Sequence, residues 1–259
     1  MKHIAKKRFG QNFLTDQDVI TSLVEAVAPQ ADDLMLEIGP GLGALTKPLL
    51  QKLKNLHVVE VDRDIITWMN AEYAKPAYAK SSLVIHQADA LKFDFSSLGK
   101  GLRVTGNLPY NISTPILFHL LANITHITDM HFMLQKEVVE RMVAAPSTAA
   151  YGRLSVMLQY HLHMDYLITV PPDAFEPAPK VESAFVRCLP HRTLPFVAKD
   201  EALFAQVVLA AFSQRRKTLR NTLKGLLTDD GFKALHIDAQ LRAENLSVAD
   251  FVAIANYLS

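Results

Sequence analysis

The chain has 259 residues, 49% of them hydrophobic, and 27 basic side chains stand against 26 acidic ones. That is enough apolar material for one medium domain with a small second one, and a net charge of +1 excludes a protein wrapped in positive field. The single cysteine, Cys188, excludes a disulfide framework within the chain and fits a reducing compartment.

The chain opens on a basic arm, Lys2, His3, Lys6, Lys7 and Arg8, without the apolar stretch of a signal peptide. No later run reaches the length of a membrane span, so a cytoplasmic protein is expected. Thr15 with Asp18 marks a helix start, and Ile20, Leu23, Val24 and Val27 recur at helical spacing until Pro29 stops the pattern. Strands are predicted over 34–38, 56–60, 83–87, 102–105 and 130–134, with helices between them around 45–53, 64–73 and 114–121. This alternation implies a mostly parallel sheet with right-handed crossovers. After Tyr151 the order changes to a helix over 154–160, a strand over 166–170, a proline-rich connector and a strand over 184–189. The last two strands read as an antiparallel hairpin at the sheet edge. Past Pro195, the residues Phe204, Val207, Val208 and Ala211, then Leu219, Leu223 and Leu226, mark a small helical domain.

Gly39, Gly41 and Gly43 follow the first of the alternating strands and precede a helix, so the backbone can turn tightly and approach a ligand. The dinucleotide fingerprint places its third glycine one residue later, and the spacing here favours an adenosine-bearing cofactor without a pyrophosphate. Glu60 ends the next strand about twenty residues on, where an acid accepts hydrogen bonds from ribose hydroxyls. Asp89, past the third strand, is placed to accept from an adenine amine, and Val61 offers an apolar face to the ring. Acids at strand ends also serve as helix caps, but the glycine turn, Glu60 and Asp89 at three successive strand ends form a set.

The turn Asn107-Leu108-Pro109-Tyr110 follows the strand over 102–105. It offers a side-chain carbonyl, a backbone carbonyl and an aromatic face in one small volume, the groups needed to hold a flipped base and accept from its amine. Adenine's 6-amino lone pair is delocalised into the ring, so that nitrogen needs polarising before it can take a methyl group. The Asn107 side-chain oxygen and the Leu108 carbonyl can both accept its N–H groups, while Tyr110 stacks on the ring. The bland alternative is an Asn-x-Pro turn that caps the helix near Thr114.

Four segments carry a resemblance: Gly10-Gln11-Asn12-Phe13-Leu14, Leu36 through Gly43, Asn107 through Ser113, and Phe175-Glu176-Pro177-Ala178-Pro179-Lys180-Val181-Glu182-Ser183. They resemble the signatures of the ribosomal RNA adenine dimethyltransferases, and the match continues to Gln214-Arg215-Arg216-Lys217 and Asn221. The resemblance implies a Rossmann-like α/β fold, a seven-stranded methyltransferase sheet over residues 1–192, with a small all-helical RNA-contacting domain over residues 193–259. It implies S-adenosylmethionine as cofactor and two adjacent adenosines near the 3′ end of 16S rRNA, within the immature small subunit, as substrate. Asn12, Leu14, Gly39, Gly41, Glu60, Val61, Asp89, Ala90 and Asn107 correspond to cofactor contacts. Asn107, Leu108 and Tyr110 correspond to target-base contacts, and Phe175 to the aromatic that closes the other face of the adenine.

Three other readings are distinguishable. A nicotinamide oxidoreductase conflicts with the glycine spacing, and a non-catalytic assembly factor conflicts with the intact Asn107 to Tyr110 turn. The antibiotic-resistance branch that modifies large-subunit RNA is resembled less closely at Pro40 and Leu108. His161 and His163 lack the second ligand set of a metal site, and no metal or obligate protein partner is expected. Two basic clusters are candidate phosphate contacts: Lys6, Lys7 and Arg8 in the arm, and Arg215, Arg216, Lys217 and Arg220 in the tail. For either cluster, a merely solvated face is the alternative.

Overall fold

A computed structural model describes residues 12–259. The short strand β1 (Phe13–Leu14) leads into α1 (Gln17–Val27), β2 (Met35–Ile38), α2 (Thr46–Leu50), β3 (Asn55–Glu60) and α3 (Arg63–Tyr73). Then come β4 (Ser82–Gln87), β5 (Leu102–Asn107), α4 (Ser113–Leu121), β6 (Ile127–Gln135), α5 (Lys136–Val143), α6 (Arg153–His161) and β7 (Leu162–Val170). The chain closes with β8 (Phe175–Glu176), β9 (Ser183–Pro190), α7 (Glu201–Ala211), α8 (Leu219–Thr222), α9 (Asp229–Ala234) and α10 (Val248–Leu258).

Seven strands make one sheet in the order β4-β3-β2-β5-β6-β9-β7. From β4 to β6 every pairing is parallel, while β9 runs antiparallel to β6, with Met130 opposite Cys188. The seven predicted strands are all present. Their order adds that the last strand inserts between β6 and the edge strand β7. Burial explains the parallel centre: all four residues of β2 are buried, as a strand covered by helices on both faces requires.

Local chemistry sets the element ends. Helix α1 is capped by Asp16 and not by Thr15, because the Asp16 carboxylate accepts the N–H groups of Asp18 at 2.9 Å and Val19 at 3.0 Å. Thr15 instead donates its hydroxyl to the Ala174 carbonyl at 3.2 Å, beside a second, two-stranded sheet in which Leu14 pairs with Phe175. Arg103 on β5 anchors the lower part of the central strand. Its guanidinium donates to Asp129 at 2.9 and 3.0 Å, to Asp33, and to the Val27 carbonyl at 2.6 Å. A forked donor so fully used fixes β5, whose far end is Asn107.

The chain divides into two compact units. The first holds the described residues up to Val139 together with Asp165–Pro190, and the second holds Glu140–Met164 and His191–Ser259. The segment Glu140–Met164, read from sequence as part of the sheet domain, thus groups with the helical unit. The reason is visible in its core: Tyr151, Val156 and Tyr160 are buried among Phe204, Val207, Leu219 and Phe251. The Tyr160 and Phe204 rings lie 4.6 Å apart, and the Tyr160 hydroxyl accepts the Ala198 N–H at 3.2 Å. Among the described residues, no helix is long and apolar enough to cross a membrane.

Candidate active site

In the first unit, β2 lies between β3 and β5, and successive connections leave it in opposite directions. Such a switch point opens a crevice at the carboxyl ends of parallel strands. A cavity of about 920 Å³ occupies it, lined by residues from the ends of β2, β3 and β5, from the segment after β4, and from Asn12 to Leu14. Eleven expected residues line it together: Asn12, Leu14, Gly39, Gly41, Glu60, Val61, Asp89, Ala90, Asn107, Leu108 and Tyr110.

The glycine turn has a positive φ at Gly39, Gly41 and Gly43. Gly41 is doubly constrained, because a β-carbon there would also approach the Phe13 ring to 3.2 Å. The turn therefore leaves room for the segment around Phe13 to lie over it. Glu60 is 7% exposed, and its Oε1 accepts the N–H groups of Val61 and Asp62, each at 2.8 Å. Burial raises its pKa, and the backbone N–H groups oppose that rise. Asp89 is exposed and uses Oδ1 to accept the Leu91 N–H at 3.0 Å. Val61 is 48% exposed on the cavity wall and gives it an apolar face. Buried and exposed carboxylates, a glycine cradle and an apolar wall form a donor set that fits a cofactor carrying a ribose and a purine.

Asn107 ends β5, and its side-chain Nδ2 donates to the Asn12 carbonyl at 3.2 Å. A carbonyl can only accept, so this contact sets which way the amide faces and leaves Oδ1 on the opposite side as an acceptor. Leu108 is 1% exposed and its N–H donates to the Met133 carbonyl at 3.1 Å, which fixes the peptide on the β6 side. Tyr110 is half-buried, and its backbone carbonyl accepts the Ser113 hydroxyl at 3.0 Å.

Phe175 is 4% exposed, backbone-paired to Leu14 and packed in one core cluster with Leu14, Ile20 and Phe185, so it stands behind the cavity wall to which Leu14 and Ile20 contribute. A large ring beside an apolar helix face is more stable buried, by about 1.5–3 kcal/mol, than left over an open crevice.

A family model described as ribosomal RNA adenine dimethylase matches residues 2–259. The chain belongs to that family. This dimethylase is 70% identical over 259 residues to the ribosomal RNA small subunit methyltransferase A of Methylobacillus flagellatus, covering 100% of both chains. The protein of the same name from Thiobacillus denitrificans is 60% identical over 257 residues, covering 99% of each. In fold the dimethylase resembles a dimethyladenosine transferase from Plasmodium falciparum, with a TM-score of 0.77 at 24% identity over 93% of this chain and 95% of that one. It also resembles the 23S rRNA methyltransferase ErmE, with a TM-score of 0.75 at 19% identity over 95% of this chain and 99% of that one.

Three residues at or behind the cavity carry no role in the sequence reading. Glu37 lines the cavity at 2% exposure, accepts the Thr46 hydroxyl at 2.6 Å, and has its pKa raised to about 7 by burial, with Glu60 adding to the rise. The available signal was an acid inside the apolar run Met35-Leu36-Glu37-Ile38. Gly106 precedes Asn107, and a β-carbon there would collide with the Ile38 backbone carbonyl. Its signal was a glycine inside a strand, which marks close backbone approach. Ser183 is fully buried and bonds the Tyr110 hydroxyl at 2.6 Å.

Arg215, Arg216 and Lys217 lie on the turn between α7 and α8, Arg220 lies on α8, and all four are exposed. Arg215 donates to the Ala149 carbonyl at 2.8 Å, and Arg220 pairs with Asp229 at 3.1 Å. Arg216 and Lys217 make no ion pair among the described residues. Lys6, Lys7 and Arg8 lie outside the described residues.

Proposed function

We propose that this dimethylase uses S-adenosylmethionine to convert two adjacent adenosines near the 3′ end of 16S rRNA into dimethyladenosines, acting in the cytoplasm on the immature small subunit. The observation that carries the reading is the Asn107 amide, oriented by Asn12 at the edge of a cavity that also holds Glu60 and Asp89. The two relatives named for the ribosomal small subunit support the choice of RNA.

Glu60 and Asp89 would hold the ribose and the adenine amine of the cofactor, with Val61 against the ring, Ala90 beside it, and Asn12, Leu14, Gly39 and Gly41 around the remainder. When bound, the cofactor supplies a methyl group on a positively charged sulfur. Asn107 Oδ1 and the Leu108 carbonyl accept the N–H groups of the target amine, which withdraws its lone pair from the ring and directs it at the methyl carbon. Tyr110 holds the flipped base by stacking. The cationic product amine is acidic enough to lose its proton to water, so no strong base is required of the site. Catalysis comes from positioning and from preset dipoles.

Calorimetry tests the cofactor assignment. S-adenosylmethionine or its demethylated product is expected to bind, and Glu60→Ala to weaken binding by roughly 10–100-fold as ribose hydroxyls lose a buried acceptor. Binding of NAD with none of the sulfonium cofactor would overturn it.

Substrate capture has a separate test. If Arg216 and Lys217 contact phosphates, affinity for small subunits falls with salt through counterion release, and neutralising both flattens the log–log slope by about 1–2. Arg215 is left alone because it holds the Ala149 carbonyl. An unchanged slope would return the pair to a solvated turn.

A further inference from the structure

Tyr110 is held at both ends by a serine. The Ser113 hydroxyl donates to its backbone carbonyl at 3.0 Å, and 2.6 Å separates its phenolic oxygen from the Ser183 hydroxyl. Ser183 opens β9 opposite Gln135 of β6 and is fully buried, so its oxygen is a fixed point rather than a mobile surface group. The strand start is tied down further where the Lys136 N–H donates to the Glu182 carbonyl at 3.0 Å.

A stacking platform needs only a π face, which phenylalanine provides without a hydroxyl to desolvate. The hydroxyl of Tyr110 therefore calls for an explanation beyond stacking. With the carbonyl and the ring tip both bonded, the side-chain torsions between them are held before any base arrives.

We propose that Ser183 is a positioning residue for methyl transfer, which acts by fixing the plane of the Tyr110 ring against which the target adenine stacks. The inference rests on the assignment of Tyr110 as the stacking face. The hydrogen bond sets orientation ahead of binding, so its loss lets the ring rotate and moves the amine away from Asn107. A displacement of an ångström at the reacting atom is costly in rate even when binding survives.

The test is single-turnover methylation of small subunits prepared from cells lacking the modification, together with calorimetric cofactor affinity for each variant. Ser183→Ala and Tyr110→Phe are each expected to slow methyl transfer by about tenfold, with cofactor affinity within twofold of the parent. The double variant is expected to be no slower than either single one, because both changes break the same bond. Ser183→Thr, which keeps the hydroxyl, is expected to recover most of the rate. A wild-type rate for Tyr110→Phe overturns the inference, as do effects that multiply in the double variant. If Ser183→Ala does not fold, Tyr110→Phe decides alone. Tyr110→Ala separates the two levels: a wild-type rate there removes the stacking assignment itself, whereas a slow Tyr110→Ala with a fast Tyr110→Phe removes only the role of Ser183.

Discussion

Asn107→Ala is expected to abolish methyl transfer, with a loss of at least roughly 10³-fold in turnover on small subunits lacking the modification. The variant removes the oxygen that would accept from the target amine, and also the Nδ2 donor that meets the Asn12 carbonyl at 3.2 Å. Some loss of cofactor affinity should accompany it, because Asn12 and Asn107 line the same cavity. Asn107→Asp separates the two contributions. A carboxylate still accepts from an amine but cannot donate to the Asn12 carbonyl, so the side chain loses its fixed orientation. It should recover little activity if orientation matters as much as acceptor chemistry. Tritium incorporation from labelled cofactor reads both variants, and near-normal methylation by Asn107→Ala would remove the amine-polarising role.

The second large effect is on stability. Burial raises the Glu37 carboxyl in the folded protein from 4.5 to about 7. The folded state thus holds this proton more tightly than the unfolded chain, and the stability present below pH 4.5 is lost as pH rises through about 7. The full difference amounts to about 3 kcal/mol. Glu37→Gln keeps an oxygen to accept from Thr46 and removes the titration. Urea unfolding at pH 4.5 and pH 8 should show the wild type losing about 3 kcal/mol relative to this variant between the two conditions. A constant difference between the two proteins across that range would mean that Glu37 is already ionised when folded.

Much of the sheet is legible from sequence because its central strands are covered on both faces and read as short apolar runs, ended by Gly39 after β2 and by the Asn107 turn after β5. The site is legible where chemistry and backbone coincide, at the three glycines, Glu60, Asp89 and Asn107. The two-residue strands β1 and β8 are not, since two residues carry no period and their partners lie more than 150 positions apart. Phe175 shows the same limit: a motif can place it near the site, but only packing decides that its ring enters the core. The orientation of Asn107 depends on a backbone carbonyl, to which side-chain identity is blind. The cap of α1 shifts by one residue because Thr15 is drawn into the contact with Ala174.

The interleaving of the two units determines how this chain can be cut or recombined. The helical unit takes residues from two separate stretches, Glu140–Met164 and His191–Ser259. A truncation after residue 192 would keep Tyr151, Val156 and Tyr160 while deleting Phe204, Val207 and Phe251, which bury them. The shortened polypeptide would display raw apolar surface and aggregate, so its inactivity would say nothing about where methyl transfer occurs. Chimaeras that exchange the helical unit between related enzymes face the same geometry. They must exchange both stretches together, with junctions near Val139, Asp165 and Pro190, to carry over an intact core.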